Sequence, residues 1–476
     1  MVVEERGLAR VGPHSSLVFS VMWSRAVALT VAGAFFLEVF DATVIVTAAP
    51  VMATDLGVTA DAVGIAITAY LCSVAALIPI SGWLAARFGG RRVFLFAVVL
   101  FALASLACAA STSLWMLGSA RVVQGIAGAL MVPIGQLLVL ASTPKPDLVR
   151  AIAYLTWPAL VAPVIAPFVG GLITDLWGWH WIFLMNVPIS AALFLAAFRF
   201  LPNEPIVGPD RLDRTGLAIA VTGIVALVLG LQWIVDESRW PIALALLPIA
   251  GAAIVWTTIR GRRVPGAILD FRAYRFATYR LVNSAGTIYR ACVLAAPFLI
   301  PLLYQTGFGW SAVQAGAILL WLFVGNIAIK PFTTPILRAI GFRWMIGLAT
   351  VVVAASFVAF AVLPEATPVV LTCAIMLVSG VARSVGFTGY LTIQFADVPK
   401  DLMTGANTVA STFSQLAHGL GIAFAAASVA VIQFASTAGP ENAIRWSFVL
   451  VAAVLLVSLV GVLRLPRDAG AHLRAR

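Results

Sequence analysis

The sequence predicts an all-α polytopic membrane protein: two six-helix bundles with two extra helices between them, fourteen spanners in total. Three observations predict it. Hydrophobic residues make up 62% of the chain and charged residues only 10%, against roughly 25% charged in a soluble domain. Apolar runs of about 20 residues, each long enough to cross about 30 Å of hydrocarbon, recur along the whole length. Lys and Arg concentrate in alternate connections, the asymmetry that orients helical membrane proteins with their basic loops inside.

The elements follow in order. Residues 1–25 form a cytoplasmic tail, and the first spanner reads as retained, with no small-residue cleavage site after a short apolar core. Spanners are expected at 26–50, 62–83, 92–111, 114–141, 150–174 and 180–201, an N-terminal bundle over 26–201. Residues 202–278 hold spanners at 215–234 and 240–260 between two charged loops broken by Pro and Gly. Spanners at 279–304, 311–336, 343–363, 367–391, 402–434 and 443–464 make a C-terminal bundle over 279–464. Residues 465–476 form a second cytoplasmic tail. Arg239 and Arg445 are the two basic residues placed on the outer side. The net charge of +11 is then topological; it meets anionic lipid headgroups and implies no nucleic acid.

The two bundles are distantly alike. "GWLAARFGGRR" (82–92) ends the second helix and "TTPILRAIGFR" (333–343) ends its counterpart. They share Gly-x-Arg at Gly89/Arg91 and Gly341/Arg343. Paired halves are how many secondary transporters are built, with the substrate between them at mid-membrane. The glycines Gly82 and Gly89, with Arg87, Arg91 and Arg92, read as a gating loop where helix ends approach closely. For Arg92 and Arg338 a purely topological role weighs equally.

Subtracting every charge assignable to a loop leaves six inside the membrane: Glu38, Asp41, Arg121, Arg290, Lys330 and Arg383, with Asp175 at an outer edge. A bare carboxylate at mid-membrane costs about 2.5–3.5 kcal/mol on insertion scales, so each charge needs a partner or water. Glu38 and Asp41, at i and i+3, share one helix face. Burial and mutual repulsion favour a shared proton and titration as a unit. Such a pair carries protons or attracts a cation; the alternative is a static ion pair with Arg121 or Arg290. Arg121 is expected within reach of these carboxylates. It opens "RVVQGIAGALMVP", with Gln124 on its side of the helix and Gly125, Gly128 and Ala129 as a narrow contact face. "APVIAPFVGG" (162–171) places Pro163, Pro167, Gly170 and Gly171 in a bend expected at the contact between the two halves.

At these motifs the chain resembles the major facilitator superfamily, and within it the EmrB/QacA-type drug:proton antiporters with fourteen spanners. The likeness runs over residues 25–464. "LEVFDATVIVTAAP", "GWLAARFGGRR", "RVVQGIAGALMVP", "APVIAPFVGG" and "WHWIFLMNVP" (179–188) each resemble a family signature. The resemblance implies that Asp41 binds protons or substrate, that Arg121 couples proton movement to conformational change, and that the Pro/Gly cluster shapes the antiporter bend. Arg290, Lys330, Asn407 and Gln415 fall where a subgroup of exporters carries those types. The candidate substrate-binding set is Asp41, Glu38, Gln124, Arg290, Asn407 and Gln415. The chain departs from the pattern at Ala86, Ala162, Ala166, Val46, Glu38 and His418.

The function expected is proton-driven export of amphipathic, cationic or zwitterionic compounds from the bacterial cytoplasm across the inner membrane, by a monomer with both termini cytoplasmic. The alternative is transport of one metabolite, such as an amino acid or organic anion; Arg290, Lys330 and Arg383 suit an anion. Four histidines, no paired metal ligands and no nucleophile–base spacing speak against an enzyme, and no cofactor or metal is expected. Cys72, Cys108, Cys292 and Cys373 read as packing residues. Charges buried in both halves speak against a non-transporting membrane sensor, which would usually need a signalling domain.

Overall fold

The computed structural model describes residues 13–144, 147–203, 211–233, 239–435, 439–466 and 469–470, and among them it is entirely helical. The first group comprises α1 (Pro13–Asp55), α2 (Ala60–Phe88), α3 (Gly90–Ala109), α4 (Leu114–Ser142), α5 (Leu148–Trp177), α6 (His180–Leu184) and α7 (Asn186–Phe200). A helical pair, α8 (Arg214–Trp233) and α9 (Trp240–Arg263), follows. The last group comprises α10 (Ala277–Leu302), α11 (Ala312–Ala328), α12 (Lys330–Val362), α13 (Val369–Ile393), α14 (Met403–Ala435) and α15 (Pro440–Leu463). Side-chain oxygens close the exposed helix starts: Ser113 accepts from the Met116 amide, and Ser311 forms a reciprocal box with Gln314.

Twelve helices among the described residues are long and apolar enough to span a membrane. Counting α5, bent by 46° between Arg150–Pro163 and Ile165–Trp177, as one more gives thirteen. The sequence-predicted fourteen differs because α11 is short and α12 runs on through a break at Gly341, where φ is 76° and ψ 167°. The predicted first spanner also starts later than α1, which begins at Pro13.

The two groups repeat one frame. A shift of 252 positions (89 to 341) carries Gly89 onto Gly341 and the span Arg25–Asp55 onto Ala277–Gly307. Both glycines have positive φ, 89° and 76°, a conformation that excludes most side chains and turns the chain sharply between two helices. The same shift carries Arg91 onto Arg343. Arg91 donates to the Phe198 carbonyl at the end of α7; Arg343 donates to the Leu465 carbonyl just past α15, at 3.4 Å. In each group an arginine thus ties the internal turn to the group's last helix. Gly125 of α4 approaches α2 so closely that a Cβ would stand 2.6 Å from the Tyr70 carbonyl oxygen. Gly380 of α13 meets the carbonyl of Leu322, 252 positions beyond Tyr70, at 2.0 Å.

Each group has its own apolar core. One cluster gathers Val31, Phe94, Phe101 and Met131 in the first group, and another gathers Tyr289, Phe342, Phe357 and Phe448 in the last. Between them α8 lies along the seam of α2 and α14, where Ala75, Ala76, Ile224 and Leu416 pack together. Asp213 anchors the pair at the arginine-rich end. It accepts from the Gly216 amide at 2.9 Å, capping α8, and from Arg260 of α9 through Nη2 at 2.9 Å and Nε at 3.0 Å. Burial pushes the Asp213 carboxyl up, but the hydrogen bonds from Arg260 and Gly216 outweigh it and hold the group below its ordinary value.

Candidate functional site

Asp41 sits midway along α1 and is fully buried. A lone carboxylate there is untenable, and the neighbouring helices supply its partners. Arg121 Nη1 of α4 donates to Oδ2 at 2.5 Å, in an ion pair with both side chains closed to solvent. Gln124, one turn further along α4, donates to Oδ1 at 2.9 Å and accepts from Arg121 at 2.7 Å. Asn186, at the start of α7, donates to the same Oδ1 at 2.6 Å. Ser105 of α3 accepts from Gln124 at 2.8 Å. The Arg121 guanidinium lies over the Tyr70 ring, 4.1 Å from its centroid, a favourable position for a cation on an aromatic face. One acid and one base leave this cluster neutral, while Arg121 Nε and Nη2 and the Tyr70 hydroxyl have no hydrogen-bond partner among the described residues.

Glu38 is one turn away on the same face, but its surroundings differ. It is half-buried, and no hydrogen bond or ion pair engages it among the described residues. Its Oε1 stands 3.6 Å from where a Cβ on Gly128 would be, near the Tyr70 hydroxyl. The sequence predicts a carboxylate pair acting as one unit. The structure divides it into an anchored acid, Asp41, and an unbonded one, Glu38. For Asp41 it selects the ion pair with Arg121 that the sequence leaves open.

Three buried cations of the last group, Arg290, Arg383 and Lys330, lie without an acid among the described residues. Arg290 of α10 is 2% exposed; its Nη2 donates to Gln394 at 3.2 Å, and its guanidinium lies 5.7 Å from the Phe387 ring centroid. Gln394 donates in turn to Asn283 at 2.6 Å. Arg383 of α13 is 6% exposed. Lys330 at the start of α12 reaches two hydroxyls only, Thr388 at 2.9 Å and Thr156 of α5 at 3.0 Å. No carboxylate lies within ion-pair distance of these three among the described residues.

The remaining candidates lie elsewhere. Asn407 donates to the Pro133 carbonyl at 2.9 Å, so it joins α14 to α4 across the two groups. Gln415 is half-buried two turns further along α14, and His418 beyond it is exposed. Gly82 brings α2 close to α14 across the groups: a Cβ would fall 2.2 Å from Thr408 Oγ1 and 3.3 Å from Thr404 Cγ2. Arg87 and Arg92 are exposed, as is Asp175. In α5, Pro163 is half-buried at the bend and Pro167 exposed. Gly170 seats α5 against α1, where a Cβ would lie 2.6 Å from both Thr47 Oγ1 and Val44 Cγ2; Gly171 meets nothing within 4 Å. Gly170 thus packs inside the first group, while α5 also touches α11, α12 and α13 of the last group and is hydrogen-bonded to it through Thr156.

Sequence reasoning missed three participants. Asn186 was visible as the one amide in "WHWIFLMNVP", but nothing in its spacing pointed to Asp41. Ser105 and Tyr70 carry no signal in an apolar helix, where serine and tyrosine are common packing residues.

Two repeated helical groups, each with buried charge at mid-height and a seam between them, define a polytopic secondary transporter. The description Major Facilitator Superfamily belongs to the family model that matches residues 31–422, and the chain belongs to that superfamily. It is 30% identical over 458 residues, 94% of each chain, to the putative multidrug resistance protein MdtD of Serratia proteamaculans (strain 568). It is 31% identical over 443 residues to the protein of that name in Cronobacter sakazakii (strain ATCC BAA-894), covering 92% of this chain and 94% of that one. The fold is shared with the human organic anion transporter MFSD10 (TETRAN), with a TM-score of 0.67 at 15% identity over 92% of this chain and 99% of that one. It is also shared with the proton:xylose symporter XylE, with a TM-score of 0.66 at 14% identity over 95% and 98%.

Proposed function

We propose that this transporter exports amphipathic cationic or zwitterionic compounds in exchange for protons. The observation that carries the reading is the contrast between two acids on one helix face: Asp41 bonded and sealed, Glu38 half-buried and, among the described residues, unbonded. Glu38 is the exchanging group, holding either a proton or the cationic part of a substrate. Asp41 and Arg121 form the lock that couples its occupancy to the packing of α1 against α4 and α7. The names of the MdtD relatives support drugs as the class of cargo.

The arginine-rich end is taken as cytoplasmic, with both termini there and the protein in the bacterial inner membrane. Fourteen crossings follow if α11 with α12 up to Gly341 forms one span and the rest of α12 another. The seal formed by Gly82 with Thr408, Asn407 with Pro133, and Lys330 with Thr156 then lies on the cytoplasmic side, so this conformation is the outward-facing one. Protons load Glu38 from outside and release the substrate; rocking opens the cytoplasmic side, where the proton leaves. One charge moved through 100 mV supplies about 2.3 kcal/mol. One chain contains both groups, and a monomer suffices. Anionic headgroups occupy the ≈1380 Å³ cavity between α2 and the helical pair, lined by Trp83, Arg87, Arg211, Arg214 and Arg260.

The test is flux into inverted proteoliposomes under an imposed pH gradient. Asp41→Asn is expected to stop transport, and Glu38→Gln to abolish substrate-induced proton release while retaining residual flux. Wild-type proton release from Glu38→Gln would remove the exchange role. Cysteine at position 239 should react with an impermeant thiol reagent in intact cells and cysteine at 262 should not; the reverse pattern would invert the orientation.

A further inference from the structure

The arginine-rich end of the helical pair gathers more positive charge than it balances. The ≈1380 Å³ cavity there is walled on one side by the end of α2, with Trp83, Arg87 and Phe88, and on the other by the start of α8 and the end of α9, with Arg211, Arg214 and Arg260. Among the described residues its one lining carboxylate is Asp213. That carboxylate is already committed: Arg260 donates to both its oxygens, and the Gly216 amide donates to Oδ1. The Arg260 guanidinium also lies 5.2 Å from the Trp256 ring centroid. Arg87, Arg211 and Arg214 are exposed and have no carboxylate within ion-pair distance among the described residues. Three uncompensated guanidinium groups thus border one cavity, Arg87 from α2 and the other two from the pair. Their forked donors match the oxygens of a phosphate.

Size and lining favour a lipid over a small soluble anion. The volume exceeds the roughly 300–1,000 Å³ usual for small-molecule pockets. The walls are apolar as well as basic. Trp83 stands edge-on to Phe88, with ring centroids 6.1 Å apart, and Phe88 is 50% exposed; Leu212, Val264 and Pro265 continue the apolar lining. A soluble anion would leave those walls bare, whereas a phospholipid sets its phosphate among the arginines and its glycerol and upper acyl chains on the rings. The cavity also lies at the right level, at the ends of three helices long and apolar enough to span the membrane, where headgroups sit and where Trp and Arg are favoured. A zwitterionic headgroup would bring its own cation into a basic cavity; an anionic one does not.

We propose that this cavity binds the phosphate of one anionic phospholipid and that the lipid clamps α2 to the helical pair, Arg87 holding it from one wall and Arg211 and Arg214 from the other. This deepens the reading above, from which it takes only that the arginine-rich end meets the cytoplasmic leaflet. Away from the cavity, α8 is joined to α2 by the hydrogen bond from Gln232 to Thr68, at 2.7 Å; the lipid supplies a second tie at the arginine-rich end. Its place matters for the seal. Trp83 follows Gly82, which packs against Thr408, and belongs to one apolar cluster with Val409 and Phe413 of α14 and Ala220 of α8. The clamp therefore steadies α2 where it meets α14.

The experiment titrates the full chain, purified in detergent and stripped of lipid, with dioleoyl phosphatidylglycerol, dioleoyl phosphatidylcholine or inorganic phosphate, and reads the thermal unfolding midpoint. Phosphatidylglycerol at about a hundredfold excess over its dissociation constant should raise the wild-type midpoint by about 3 °C; the other two probes should leave it level. Arg87→Gln and Arg214→Gln should each remove the shift, because the clamp needs both walls. Both side chains are exposed, so the variants keep their fold, which the lipid-free midpoint verifies, and Arg214→Lys should retain part of the shift. Loss in Arg214→Gln alone would place the headgroup on the pair and overturn the clamp. An undiminished shift in both variants would put the lipid elsewhere and overturn the site. An equal shift from phosphatidylcholine would mean that acyl contacts suffice, and one from inorganic phosphate that the site takes a soluble anion; either overturns the proposal, as does no shift from any probe. None of these outcomes involves Glu38, whose substrate-induced proton release tests the export reading separately.

Discussion

The two helical groups share a frame and differ in charge. Both turn on a positive-φ glycine followed by an arginine bonded to the end of the last helix, and both press a glycine of the fourth helix against a carbonyl of the second. Within that frame the first group neutralises its buried arginine, Arg121, with Asp41. The last group buries Arg290 against an amide and an aromatic ring and Lys330 against two hydroxyls, and among the described residues no carboxylate pairs with either or with Arg383. Backbone packing sets the repeat, because glycines and turns depend on close contact. Side-chain electrostatics is free to diverge, because helices of the same shape accept either sign of charge at positions facing the interior.

The comparison breaks most clearly under the same operation in each half. Removing one partner of a buried ion pair strands the other and costs about 3–5 kcal/mol. Asp41→Asn and Arg121→Gln should each lower the thermal unfolding midpoint of the detergent-solubilised protein strongly, and the double variant should recover much of the loss without recovering transport. Arg290→Gln and Arg383→Gln remove charges that have no such partner, so their midpoints should stay level or rise. A large destabilisation from either would mean that an acid pairs with them in another state, and the contrast between the halves would fall.

A smaller effect sharpens the seam between the groups. Gly82→Ala places a methyl group 2.2 Å from Thr408 Oγ1, which α2 and α14 relieve by separating. Introduced cysteines facing the arginine-rich side should become more reactive, and Thr408→Ala should restore wild-type reactivity. Gly171→Ala, with open space around it, serves as the silent control; an equal response from both would show that the seam is not the determinant.

The smallest effect belongs to the helical pair that bridges the groups. The Asp213 carboxyl is held below its ordinary value in the folded protein, so its bonds to Arg260 and Gly216 contribute stability above the ordinary carboxylate range. That contribution disappears as pH falls through the lowered value. The difference in unfolding midpoint between wild type and Asp213→Asn should therefore be constant at neutral pH and vanish in acid. A difference that grows in acid would contradict the assignment.

Much of the architecture was legible because membranes impose long apolar helices. The Gly-x-Arg repeat at 89–91 and 341–343 located the two groups before any contact was known. The importance of Asp41, Arg121 and Gln124 was legible for the same reason: charge and amide groups stand out against hydrocarbon. Asn186 was not, since its link to Asp41 spans 145 residues and no spacing rule connects them. Gly170 and Asn407 stand out in the sequence, but their neighbours, α1 for the glycine and the Pro133 carbonyl for the amide, do not. Glycine at helical spacing announces close approach without naming the neighbour, and an amide in a helix announces a hydrogen bond without naming the acceptor.

By itself, the sequence determined that the chain is a helical membrane protein with repeated halves and six charges to account for. Composition, apolar run length and the placement of arginines follow from local free energies of transfer, which each segment meets alone. Only the tertiary structure decided which charges are satisfied: Asp41 by three side chains from two helices and, among the described residues, Glu38 by none and Arg290 and Arg383 without an acid. Pairing depends on distances of a few ångströms between helices far apart in the chain. Those distances come from the packing of α1 with α4 and α7, and of α10 with α13, which no single segment encodes.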